Sequence, residues 1–136
     1  MYLIDTNVIS EARKGLKSNL GVQQFFSSID SENLYISVQT IGEIRQGIEN
    51  IRYRGDQQQA NKLEKWFNLL NTEYANKILG FDEVSAQLWG KLLSPNHQHP
   101  VDKQIAAIAL IHDLTVVTRN TADFSGTGVA LINPFV

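Results

Sequence analysis

Tyr2-Leu3-Ile4-Asp5-Thr6-Asn7-Val8-Ile9-Ser10 is the stretch on which the reading of this chain turns. Three apolar residues suit a short buried strand, and an acid follows at once where the chain must turn. Asp5-Thr6-Asn7 then reads as a strand-end turn feeding a helix that begins near Val8. In an open parallel sheet, ligands bind beyond the carboxyl ends of strands, which is where Asp5 stands. The competing reading makes Asp5 or Thr6 a helix cap, a common use of acids and hydroxyls in such turns. Taken alone, the stretch favours the cap.

The same strand-then-helix arrangement recurs downstream. Val8 to Arg13 suits a short helix closed by Lys14-Gly15, and Val22, Phe25, Phe26 and Ile29 recur at helical spacing. Leu34 to Val38 is a second strand that runs straight into a helix, in which Ile41, Ile44, Ile48 and Ile51 form one apolar face. Arg45, Arg52 and Arg54 fall near its other side. After Gly55-Asp56, Leu63, Trp66, Phe67 and Leu70 mark another amphipathic helix, and Ile78 to Phe81 reads as a short strand. Asp82 then caps a helix whose inward positions are Val84, Leu88 and Leu92. Ser94 to Pro100 is a surface loop. From Val101 a helix places Ile105, Ile108 and Ile111 inward, with Ala106, Ala107 and Ala109 allowing close packing. Leu114 to Thr118 is a β-branched strand, and Gly128 to Ile132 is the last one. Strands separated by helices imply right-handed crossovers and a parallel sheet covered on both faces. The expected fold is a three-layer α/β/α domain spanning 1–136, without internal boundary or repeat.

Composition narrows the chemistry. The chain has 136 residues, enough for one proper core and too few for two domains. There is no cysteine, so catalysis or metal binding falls to carboxylates, histidines or hydroxyls. A net charge of −2 argues against coating nucleic acid through bulk charge, while leaving room for a local basic rim. No apolar run approaches a membrane span, and no basic-then-apolar leader precedes Asp5, so a cytoplasmic protein is expected.

Four acids occupy similar places in this scheme. Asp5 ends strand one, and Glu43 lies in the first turn after the second strand. Asp102 opens the alanine-rich helix, and Asp123 follows the strand ending at Thr118. Each has a local alternative. Thr40-Ile41-Gly42-Glu43 matches a capping box, Asp102 suits a helix N-terminus, and Asp123 suits a turn. Their arrival at one end of one sheet argues for a shared role. Clustered carboxylates repel, and a divalent cation relieves that repulsion. Oxygen-only donors point to Mg²⁺ or Mn²⁺ rather than zinc.

These motifs resemble those of PIN-domain proteins, specifically toxin nucleases of the VapC and FitB type, also described as plasmid stability proteins. The resemblance rests on Leu3-Ile4-Asp5-Thr6-Asn7-Val8-Ile9-Ser10-Glu11 and Ile36-Ser37-Val38-Gln39-Thr40-Ile41-Gly42-Glu43-Ile44. It continues through Pro100-Val101-Asp102-Lys103-Gln104-Ile105-Ala106-Ala107 and Val117-Thr118-Arg119-Asn120-Thr121-Ala122-Asp123-Phe124, with Leu131-Ile132-Asn133-Pro134-Phe135 at the close. It implies a five-stranded parallel sheet in the order 3-2-1-4-5. Asp5, Glu43 and Asp102 are then the core acids and Asp123 the fourth, with Thr6, Ser37, Thr118 and Asn120 as supporting polar residues. It also implies a Mg²⁺-dependent endoribonuclease, with Mn²⁺ able to substitute, that hydrolyses phosphodiester bonds by metal-activated water. A small VapB-like antitoxin partner, a homodimer and a higher assembly with the antitoxin follow from the same resemblance.

Arg13, Lys14, Arg45, Arg52, Lys103 and Arg119 are candidates for a phosphate-binding rim. His97 and His99, two apart in a proline-flanked stretch, are assigned to an exposed loop, because no third ligand is evident nearby. Trp66 and Trp89, on apolar stripes, are assigned to the core or to a dimer interface. A non-catalytic RNA- or protein-binding module with the same fold is the rival from another class. Clustered negative charge does not serve such a binder. A haloacid-dehalogenase-like phosphotransfer site built on Asp5 would want an acid at position 7, where this chain has Asn7.

Overall fold

Alternation along β1 (Tyr2–Ile4) divides the interior into two cores, one on each face of the sheet. The computed structural model describes residues 1–136. Leu3 packs with Ile105, Ile108, Val116 and Phe124 on one face, while Ile4 packs with Val8, Ile36, Ile48 and Val117 on the other. The two-residue period of a strand causes this split. Side chains buried this fully contribute about 1.5–3 kcal/mol each.

The first core is covered by α1 (Thr6–Ala12), α2 (Leu20–Ser28), α3 (Val38–Tyr53) and α4 (Gln57–Glu73). The second lies mainly under α5 (Glu83–Leu93) and α6 (Pro100–Ile111). Between them β2 (Leu34–Ser37), β3 (Ile78–Leu79), β4 (Thr115–Val117) and β5 (Leu131–Ile132) join β1 in a five-stranded sheet. Every pairing is parallel, and the order is β3-β2-β1-β4-β5, as the resemblance implies. No helix is long and apolar enough to cross a membrane.

Boundaries moved where a cap decided them. α1 begins at Thr6, two residues before Val8, because Asp5 accepts from Thr6 N. Val38 opens α3 instead of closing β2, because Ser37 caps that helix by accepting from Thr40 N. Two apolar positions assigned inward face solvent instead. Val84 is 62% exposed and Ile111 37% exposed, while Ser85, Lys103 and the run from Ile105 to Ala109 are buried. The short alanine side chains bring α6 close enough to the sheet to bury neighbouring positions as well.

Candidate active site

Sheet register does the first part of the positioning. Ile4 pairs with Val117, so the next residues, Asp5 and Thr118, leave the sheet side by side. Asp5 is only 5% exposed. Its Oδ1 accepts Thr6 N at 2.8 Å, and its Oδ2 accepts the Thr118 hydroxyl at 2.8 Å and Asn7 Nδ2 at 3.3 Å. Asp5 therefore caps α1 and also stands with the acidic group, so the cap does not exclude a role in the site. Burial raises its pKa above the ordinary aspartate value, and the bonds from Thr118, Thr6 and Asn7 oppose that rise.

The capping box at Thr40-Glu43 does not form. Ser37 caps α3, with Thr40 N donating to Ser37 Oγ at 3.3 Å. That leaves Glu43 free to accept the Thr6 hydroxyl at 2.7 Å. Thr6 Oγ1 also lies 3.1 Å from the fully buried Thr40 Oγ1. Glu43 is exposed and lies in the second turn of α3, not the first, because the helix begins at Val38. Desolvation of its carboxyl and the Asp5 charge raise its pKa, against the Thr6 hydrogen bond.

Asp102 lies in the first turn of α6 and Asp123 in a 3₁₀ turn at Thr121–Phe124. Asp102 has its pKa pushed up to about 6, first by desolvation and then by the charges of Asp5, Asp123 and Glu43, with His99 acting the other way. The fold thus brings the other three acids within electrostatic reach of Asp102. Gln39 Nε2 of α3 donates to Gln104 Oε1 of α6 at 3.2 Å, joining the helices that carry Glu43 and Asp102.

Ser37 and Thr118 are buried, and Asn120 donates its backbone N–H to Thr118 Oγ1 at 3.0 Å. Three residues of the site were missed by sequence reasoning. Asn7 bridges Asp5 and Thr118 through Nδ2, and its Oδ1 accepts Arg119 N at 3.0 Å. Its place two residues after Asp5, in the same turn, was the available signal. Thr40 is the second. His99 is the third: its ring nitrogens lie 3.8 Å from Asp102 and 3.6 Å from Asp123. His99 is exposed and lies in the loop, as assigned, but the fold also sets it beside Asp102, three residues on, and Asp123, distant in sequence.

The basic rim is smaller than expected. Lys103 is 4% exposed and donates to Gln98 O at 2.6 Å and to Asn96 O, so it holds a loop and is withdrawn from any phosphate. Arg45 forks onto both oxygens of Glu64 at 2.7 Å and also bonds Glu49, joining α3 to α4. Arg52 bonds the same two acids, and Lys14 pairs with Glu11. Arg119 stacks on Phe135 at 4.8 Å and Arg13 on Trp66 at 5.9 Å, neither in an ion pair. A cleft of about 200 Å³ runs from Thr6 and Glu43 past Ser10 to Arg13 and Trp66. Trp66 therefore forms a cleft wall, whereas Trp89 serves packing, donating to Pro100 O at 2.9 Å and meeting Phe81 edge-on.

Residues 2–129 match the PIN domain family. The chain is 36% identical to plasmid stability protein StbB of Pseudomonas syringae pv. tomato over 142 residues, covering 99% of each chain. It is 34% identical to toxin FitB of Neisseria gonorrhoeae, again over 99% of each. With VapC ribonuclease Y4jK of Sinorhizobium fredii it shares 30% identity, over 99% of this chain and 98% of the relative. The crystal structure of FitAcB from Neisseria gonorrhoeae superposes with a TM-score of 0.87 at 34% identity, covering 98% of both chains.

Proposed function

This chain belongs to the PIN-domain family, and on that premise we propose that it is a divalent-metal-dependent endoribonuclease acting as the toxin of a toxin–antitoxin pair. The gathering of Asp5, Glu43, Asp102 and Asp123 at one sheet edge carries the reading. Relatives named as a toxin and as a ribonuclease support it.

The donor set fits a hard divalent cation. None of the four acids is paired with a lysine or arginine, and Lys103, next to Asp102, is turned to carbonyls instead. Mutual repulsion among them is what a cation would relieve. Asp5 and Asp102 would hold Mg²⁺ or Mn²⁺ directly, with Glu43 and Asp123 completing the set. An ion held there would supply a more acidic, more nucleophilic water and would offset charge on the leaving oxygen.

The chain's own residues supply order. Thr118, Asn7 and Thr6 N fix both oxygens of Asp5, so that carboxylate does not have to reorganise when substrate arrives. Thr6 anchors Glu43 in the same way. Among the rim candidates, Arg13 and Arg119 are exposed and free of acidic partners, and each stacks on an aromatic ring that limits its motion. Cleavage of this type leaves a 5′-phosphate and a 3′-hydroxyl.

A ribonuclease acting inside its own cell needs a neutraliser, which is the role assigned to a small antitoxin. An arginine from such a partner suits the acidic site, because its planar fork meets two carboxylate oxygens at once. Purified protein should cut RNA with Mg²⁺ or Mn²⁺ and stop with a chelator, and Asp5→Asn or Asp102→Asn should abolish cutting in a folded protein. Undiminished cutting by both variants would overturn the reading. Expression alone should arrest growth, and a small protein encoded beside it should relieve the arrest and co-purify.

A further inference from the structure

His99 takes no part in the nuclease reading, yet its imidazole stands between two of the four acids. Nδ1 is 3.8 Å from Asp102 Oδ2, and Nε2 is 3.6 Å from Asp123 Oδ1. Both gaps exceed hydrogen-bond length. One ligand atom from each of His99, Asp102 and Asp123 lies within 4.8 Å of the other two. Neighbouring ligands around one divalent ion, each about 2.1 Å from it, stand about 3 Å apart. Small side-chain movements therefore bring all three onto a single ion.

The chain works to put the ring there. His99 has φ of 54°, a left-handed conformation uncommon outside glycine. Its side chain makes no capping bond to α6. The buried Lys103 holds the loop before it through Asn96 O and Gln98 O, and Lys103 N donates to His99 O at 3.0 Å. Trp89 holds the next residue through Pro100 O.

We infer that His99 is a nitrogen ligand of the catalytic cation, binding through Nε2 beside Asp102 and Asp123, and that it biases the site from Mg²⁺ towards Mn²⁺ and other transition-metal ions. Nδ1, facing Asp102 Oδ2, is then placed as the second nitrogen of many metal-binding histidines is, against a carboxylate that orients the ring. Imidazole suits transition ions, whereas Mg²⁺ prefers oxygen throughout its shell. The inference rests on the proposed metal-dependent reading for the presence of a cation, but four carboxylates alone would serve Mg²⁺.

Pulsed electron paramagnetic resonance on the Mn²⁺-loaded full chain tests it, comparing wild type, His99→Asn and His97→Asn. Asparagine tolerates the left-handed conformation and removes the imidazole, so the backbone is kept. Nitrogen coupling to Mn²⁺ should be present in wild type and in His97→Asn and absent in His99→Asn. Mn²⁺ affinity should fall about tenfold or more in His99→Asn, with Mg²⁺ affinity falling less. Mn²⁺ binding without nitrogen coupling in wild type, coupling that survives in His99→Asn, or equal losses for the two ions would overturn the inference while leaving the nuclease reading in place. If Mg²⁺ binds and Mn²⁺ does not, the inference falls alone; if neither ion binds, both fall.

Discussion

Thr118 donates its hydroxyl to Asp5 Oδ2 at 2.8 Å, joining the carboxyl ends of β4 and β1 in a place nearly closed to solvent. The Thr118 oxygen also accepts from Asn7 Nδ2 and from Asn120 N, so its one proton is directed at Asp5. A buried carboxylate is thereby kept ordered without a countercharge.

Thr118→Val should cost about 1–3 kcal/mol, because it strips a hydrogen bond from a buried carboxylate. It should also raise the pKa of Asp5 further, since burial already lifts it above 3.8 and Thr118 is the main opposing influence. The lost bond stabilised the ionised form, so the penalty should be larger at pH 7 than at pH 4. Urea denaturation at both pH values measures this. Equal penalties would mean that the hydroxyl does not act on the charge of Asp5.

Asp102 makes the metal-free protein sensitive to pH. Its folded pKa of about 6 lies above the unfolded value of 3.8, so the folded state binds more protons. The stability from this group is fully present below pH 3.8 and is lost as pH rises through 6, roughly 3 kcal/mol at most. Asp102→Asn should flatten that part of the stability profile and raise metal-free stability at pH 7. Mg²⁺ or Mn²⁺ binds the ionised cluster, so its stabilising effect should be larger at pH 7 than at pH 5. Chemical denaturation across pH, with and without the ion, reads both effects. An unchanged profile in the variant would show that Asp102 is not coupled to the other acids.

The arginines should separate by partner. Arg13→Ala and Arg119→Ala should each raise KM for RNA and reduce the salt dependence of binding, because neither residue is in an ion pair. Arg45→Gln should leave KM and the salt slope near wild type, since Glu64 and Glu49 already occupy that guanidinium. Its effect should be a small loss of thermal stability that disappears at high salt. A larger KM effect for Arg45→Gln than for Arg119→Ala would reverse the assignment.

Lys103→Met should loosen the loop ahead of α6 without unfolding the sheet. The side chain keeps its length but no longer holds Asn96 O and Gln98 O. Loss of these charged bonds, about 1.5 kcal/mol or more, corresponds to roughly tenfold faster amide exchange within residues 96–100. Exchange in β1 should be unaffected. Protection in the loop equal to wild type would show that the lysine is not the latch.

Local patterns were enough to fix much of this protein from its sequence. A strand three residues long, ending in an acid and passing into a helix, is legible at Tyr2–Asp5 because apolar runs and helix starts are local events. The 3-4-3 stripe of isoleucines in α3 is legible for the same reason, and the parallel order of the strands agrees with the motifs that follow them. Tertiary structure alone decided which charges are free and what each side chain meets. Lys103 and Arg45 look like phosphate contacts in sequence, but one is drawn inward by two carbonyls and the other is occupied by an acid from the next helix. His99 looks like a loop residue, yet the crossing of α6 with the turn at Asp123 sets it between two carboxylates. Hydrogen bonds and charge interactions act over a few ångströms, and Asp5 and Thr118, that close together in space, stand 113 positions apart in the chain.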